Sequence, residues 1–178
     1  MKIRILLVFL IMFYVNSKSS ANDNLSLFDF SFEDIDGNQV NLEKFTGKPI
    51  LVVNTASRCG YTPQYSNLQN LFLEYKDSDL TIIATTSNSF YQEYEDSEDI
   101  KKICLVNYGV GFVTSSPMDV KGKNAHPMYA WIEDVYNKKP KWNFFKFLFD
   151  RNGKLVESWS SMTKPDSYKI TNQIDKLI

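Results

Sequence analysis

Two cysteines, Cys59 and Cys104, are the side chains in this 178-residue chain best able to do covalent chemistry. Cys59 closes the stretch Ile50-Leu-Val-Val-Asn-Thr-Ala-Ser-Arg-Cys59 and is followed by Gly60-Tyr61-Thr62-Pro63-Gln64. Thr62-Pro63 is a helix-start signal: the hydroxyl can cap orphan N–H groups, and proline suits the first helical position. A sulfur just ahead of a helix N-terminus faces unpaired N–H groups and the positive end of the macrodipole, which favour the thiolate, its reactive form. A C-x-x-C redox pair would need a second cysteine at position 62, where this chain has threonine. Cys59 therefore acts alone or with the distant Cys104. One low-pKa thiolate suits peroxide reduction, in which sulfur attacks an O–O bond and becomes a sulfenic acid. The competing reading of two cysteines in an exported chain is a single structural disulfide. His126 is the lone histidine and reads as a structural residue at a helix start. One histidine and two separated cysteines do not make a zinc site, and no cofactor is expected.

The elements that must position these residues follow from periodicity. Ile50–Val53 is a β-branched, apolar central strand, and Leu80–Thr86 is a second. Between them, Tyr65, Leu68, Leu71, Phe72 and Tyr75 keep helical spacing from Pro63 to Lys76. A strand–helix–strand unit of this kind implies a right-handed parallel crossover. Leu27–Ile35 alternates as a half-buried strand, with Asp36-Gly37-Asn38 turning it into Gln39–Leu42. Asp96 opens a helix reaching about Tyr108, with Cys104 on an apolar flank beside Ile100, Ile103 and Leu105. Residues 109–123 read as loop with a short strand at most, and 127–136 as a helix. Arg151-Asn152-Gly153 joins a hairpin, and an amphipathic helix from Pro165 to Ile178 ends the chain. The class is α/β, a mixed central sheet with helices on both faces and an N-terminal β-hairpin.

The first residues form a separate unit. Lys2 and Arg4 precede an apolar run from Ile5 to Val15, too short to span a bilayer, with small residues at Ser19 and Ala21. We expect a signal peptide over 1–21, cut after Ala21, and one domain over 22–178, exported to a periplasmic or extracellular space. The formal net charge is −1 and becomes more acidic without Lys2, Arg4 and Lys18, so nucleic acid is not an expected partner.

Several separated segments resemble the glutathione peroxidase family. They are Asn54-x-Ala-Ser-Arg-Cys-Gly-Tyr-Thr-Pro-Gln-Tyr65 with Asn67-Leu68, Gln92-Glu93, Cys104 with Tyr108-Gly-Val110, Lys121–Pro127, and Trp142-Asn-Phe-x-Lys-Phe147. The resemblance runs from about Leu27 to the C-terminus. It implies a thioredoxin-like fold and reduction of hydrogen peroxide and organic hydroperoxides, lipid hydroperoxides being the one route to membrane contact. It further implies that Cys59 is the peroxidatic residue, that Gln92, Trp142 and Asn143 complete a catalytic tetrad, and that Cys104 resolves the sulfenic acid as a disulfide. Amide and indole N–H groups are donors suited to a thiolate and a developing alkoxide. The reductant implied is a thioredoxin-like protein or glutathione, although no basic cluster suggests a site for glutathione's carboxylates. The segment from Trp131 to Trp142 has no room for the insertion that tetrameric members use in assembly, which implies a monomer. Two departures stand out. The family's Gly-Phe-Pro-Cys-Asn-Gln-Phe is Ala84-Thr-Thr-Ser-Asn-Ser-Phe90 here, and its Gly-Gly-Gln-Glu-Pro-Gly loop is Tyr91-Gln-Glu-Tyr-Glu95, one residue shorter. Of the four residues, Gln92 is the one whose surroundings differ most. A thiol–disulfide relay or peroxide sensor, and a non-catalytic domain with a structural disulfide, are the other readings.

Overall fold

The computed structural model describes residues 24–178, so the expected signal peptide and its cleavage point lie outside the described residues. At the centre is β3 (Ile50–Thr55), buried at every position. It pairs in parallel with β4 (Thr81–Thr86) and antiparallel with β6 (Lys146–Phe149). β5 (Val113–Thr114) and β7 (Leu155–Trp159) complete a five-stranded sheet of order β5-β4-β3-β6-β7. A strand buried on both faces must be apolar nearly throughout, which is why Ile50–Val53 shows no alternation.

The strand alternation nevertheless divides the core. Leu51, Val53 and Leu148 face one layer with Tyr65, Leu68 and Leu71 of α1 (Gln64–Glu74), Ile100 of α2 (Ser97–Lys101) and Ile170 and Ile174 of α4 (Tyr168–Ile174). Ile50, Val52, Phe147 and Phe149 face the other, with Met128, Tyr129 and Ile132 of α3 (Pro127–Tyr136). The same layer takes Phe32 and Val40 from the hairpin of β1 (Ser31–Glu33) and β2 (Gln39–Asn41). Each of these buried side chains contributes about 1.5–3 kcal/mol relative to exposure. The mixed sheet with helices on both faces and an N-terminal hairpin is therefore as expected.

Local chemistry corrects several boundaries. The first part of Leu27–Ile35 is a 3₁₀ turn, Leu27–Asp29, because Ser26 and Asp29 satisfy each other's backbone N–H groups as a capping box. The helix opened by Asp96, whose carboxylate accepts from Glu98 N at 2.8 Å, changes after Lys101 into a π-helix over Lys102–Asn107. The closing helix is shorter than Pro165–Ile178 and begins after Ser167.

The β6–β7 turn is tied back to the start of the domain, where Leu27 N donates to Gly153 O at 3.0 Å. Gly153 has φ +70°, and a Cβ there would stand 2.9 Å from Leu27 N. Gly153→Ala should lower stability by about 2–3 kcal/mol in urea unfolding, from left-handed backbone strain plus a backbone clash, while activity per folded molecule stays unchanged.

Candidate active site

The site lies at the carboxyl end of β3, where three connecting segments meet. In the first, residues 56–63, tight turns run from Cys59 into α1: Thr62 N donates to Cys59 O at 3.0 Å and Gln64 N to Tyr61 O at 2.8 Å. The turn carbonyls already accept from the first N–H groups of α1, and Thr62 does not cap the helix as the Thr-Pro signal suggests. Its hydroxyl instead accepts from Cys59 N at 3.0 Å and donates to Ala56 O at 2.9 Å, fixing the shape of the turn. Cys59 is buried to 7% exposure, and Tyr61 N donates to its Sγ at 3.4 Å. A backbone N–H aimed at sulfur is a stabilising contact for a thiolate.

The second segment carries Gln92. It holds its course without the family's glycines because Tyr91 itself takes φ +60°, closing a turn in which Tyr91 N donates to Asn88 O at 2.8 Å. A left-handed tyrosine costs about 1–2 kcal/mol. Two contacts latch this loop to the cysteine turn. Arg58 N donates to Gln92 O at 2.9 Å, and Ser57 N to Glu93 Oε1 at 3.0 Å. Glu93 is a buried carboxylate whose Oε1 also accepts from Tyr94 N, whereas Oε2 has no partner, and burial raises its pKa.

The third segment is Trp142–Phe145. Asn54, the fifth residue of β3, grips it: Asn54 Nδ2 donates to Trp142 O at 3.1 Å, and Asn54 Oδ1 accepts from Phe145 N at 3.0 Å. Phe144, at φ +61°, donates its N–H to Asn54 O. Two side-chain pairs then join this segment to the Gln92 loop. Asn143 Nδ2 donates to Gln92 Oε1 at 3.1 Å, and the Trp142 ring lies on Phe90 with centroids 5.3 Å apart. Gln92 Nε2 and the half-exposed Trp142 indole N–H make no hydrogen bond among the described residues, and both remain available to an incoming oxygen.

Cys104 lies in the same buried cluster as Cys59, fully buried in the π-helix, with both thiols free. Burial pushes its thiol up to about 11, so it is protonated at neutral pH. His126 is committed elsewhere. Its Nδ1 accepts from Met128 N at 3.3 Å, capping α3, and its Nε2 then donates to Ser31 O at 3.0 Å. Among the described residues no cluster of three His, Cys, Asp or Glu could hold a metal.

Three residues that hold these segments are not marked as such by the sequence reading: Asn54, Glu93 and Ser161. Asn54 and Glu93 stand inside the quoted motifs, so position in a motif is the signal that could mark them. Ser161, whose Oγ donates to Asn143 O at 2.6 Å, has no comparable signal.

Comparison with known proteins places this arrangement in context. Residues 27–133 match the glutathione peroxidase family model. The chain is 39% identical over 175 residues to the hydroperoxy fatty acid reductase of Synechocystis, covering 89% of this chain and 99% of that one. It aligns with the crystal structure of apo Trgpx at TM-score 0.69 and 34% identity, over 86% of this chain and 95% of that one. A thiol:disulfide interchange protein from Chlorobium tepidum shares the thioredoxin-like fold at TM-score 0.62 and 22% identity, over 85% of this chain and 94% of that one.

Proposed function

The chain belongs to the glutathione peroxidase family and is a thiol peroxidase, and on that footing we propose that Cys59 is its nucleophile and Cys104 its resolving thiol. The observation that carries the reading is the Cys59 sulfur receiving the Tyr61 N–H beside a Gln92–Asn143 pair that leaves amide and indole donors unengaged. The Cys59 thiolate attacks the terminal peroxide oxygen and the O–O bond breaks. Sulfur is oxidised to the sulfenic acid, and the departing alkoxide, held by the Gln92 and Trp142 N–H groups, takes a proton to leave as alcohol. The Cys104 thiol then attacks the sulfenic sulfur, releasing water and forming a disulfide.

That second step needs the 102–107 segment to open. A thiol protonated until about pH 11 and fully buried does not attack from where it stands. A π-helix has looser geometry than an α-helix and occurs often at functional sites, which supports local unwinding here. A thioredoxin-like dithiol protein is the fitting reductant for the resulting disulfide, with glutathione the slower donor. Lipid or fatty acyl hydroperoxides suit the exposed Trp142 mouth, as the name of the Synechocystis relative also suggests. The protein works as a monomer outside the cytoplasm, after removal of residues 1–21.

Mass spectrometry of the reduced chain after one equivalent of hydrogen peroxide tests the mechanism. The native chain should become two hydrogens lighter with Cys59 and Cys104 peptides cross-linked. Cys104→Ser should instead trap a dimedone adduct at Cys59. Unmodified thiols in both chains would remove the proposal.

A further inference from the structure

Lys146 is a fully buried lysine on β6, paired in register with Val53 and sharing the face of Leu148, towards α1. Its Nζ donates to Gln64 Oε1 at 2.5 Å, to Thr163 O at 2.7 Å and to Ser161 O at 3.4 Å. All three partners are neutral oxygens, and among the described residues this lysine forms no salt bridge. A buried ammonium without a carboxylate is costly and is retained only where the surroundings hold it for a reason.

The contacts lead to the reacting sulfur by two routes. Gln64 is the first residue of α1; its N–H donates to Tyr61 O, and Tyr61 N donates to Cys59 Sγ. Ser161, which also accepts from Gln64 Nε2 at 2.6 Å, donates its hydroxyl to Asn143 O. One ammonium thus ties the turn that carries the thiol to the segment that carries Asn143. The charged and titratable groups on the segments it joins are Cys59 and Tyr61 on the turn, Lys164 after Thr163, and Asp166, which is bonded to Asn67 of α1.

We propose that Lys146 is a positioning residue for peroxide reduction, holding the Cys59 turn and the Asn143 segment together and supplying the buried positive charge that a Cys59 thiolate answers. The proposal rests on Cys59 being the nucleophile. Burial pulls the Lys146 ammonium down to about 7, so its charge is adjustable in the working range. Two groups of opposite charge favour each other's ionised form, and the preference is reciprocal. Removing the thiolate must therefore loosen the lysine proton, and removing the lysine charge must loosen the thiolate.

The first half is read without altering position 146. In full-length chain carrying 13C-lysine, the Lys146 Cε resonance is titrated in reduced native protein and in Cys59→Ser. The lysine midpoint should fall by about half a pH unit or more in Cys59→Ser. The second half uses Lys146→Met, which should slow iodoacetamide capture of Cys59 at neutral pH about tenfold, with Lys146→Arg restoring most of the rate. An identical lysine midpoint in native and Cys59→Ser chains overturns the inference, and decides alone if Lys146→Met does not fold. Peroxide turnover persisting in Cys59→Ser would remove the premise about Cys59, a separate result.

Discussion

Cys59→Ser should reduce peroxide turnover by about a thousandfold or more, equivalent to about 4 kcal/mol of lost transition-state stabilisation. An alcohol ionises far less readily than a thiol and is a poorer nucleophile toward an O–O bond, so serine would need a strong base beside it. Among the described residues no base is hydrogen-bonded to the side chain at position 59. Both nitrogens of its one histidine are engaged at the start of α3, and Glu93 is bonded to Ser57 N and Tyr94 N rather than to any group of residue 59. Serine should fit without disturbing the fold, since the turn is shaped by Thr62 and by the backbone. A coupled assay against hydrogen peroxide and an organic hydroperoxide, beside a thermal melt, checks both halves. Turnover within tenfold of the native rate would mean that another group carries the oxidation.

Asn54→Ala should be nearly as damaging, by another route. The Asn54 side chain supplies the acceptor for Phe145 N and the donor to Trp142 O, holding the turn that carries Trp142 and Asn143. Alanine leaves both backbone groups without those partners, at a cost of about 2–4 kcal/mol in stability. It also frees the turn to shift, and a displacement of about 1 Å in groups aimed at the reacting atoms can cost on the order of a hundredfold in rate. Denaturant unfolding and turnover measured on the same preparation should show both losses, with the initial alkylation of Cys59 much less affected because the Tyr61 N–H contact is independent of Asn54. Loss of stability with unchanged kcat would limit Asn54 to a structural part.

Much of this architecture can be read from one-dimensional pattern. Ile50–Val53 announces a doubly covered strand, helix α3 begins at Pro127 behind a histidine cap, and Asn152-Gly153 marks its hairpin. These features are local, decided by apolar runs and turn residues within a few positions. What pattern does not reveal is cross-chain. That Thr62 serves the cysteine turn rather than the helix depends on Ala56 O lying within reach of its hydroxyl. That Tyr91 replaces a glycine in the left-handed region depends on Asn88 and Glu93 holding the loop around it. The π-helix at Cys104 is likewise silent in a sequence whose apolar spacing is compatible with an ordinary helix. Gln92, Trp142 and Asn143 are unremarkable polar or aromatic residues until a family resemblance selects them. The Gln92–Asn143 bond and the Phe90–Trp142 ring contact then show the fold bringing their two segments together.

The grip of Asn54 on Trp142 and the Gln92–Asn143 bond have a consequence for how this chain could be divided. The candidate site is a seam: Cys59, Gln92 and Cys104 precede the exposed 137–139 connector, whereas Trp142, Asn143 and Lys146 follow it. The family match itself stops at residue 133, short of the second group. A chain nicked in that connector would yield one piece with Cys59 and Gln92 and another with Trp142 and Asn143, and on the proposed mechanism neither should turn over peroxide alone. Recovery of peroxidase activity on mixing them would report reassembly of β6 onto β3, making catalysis a gauge of whether the two pieces have met.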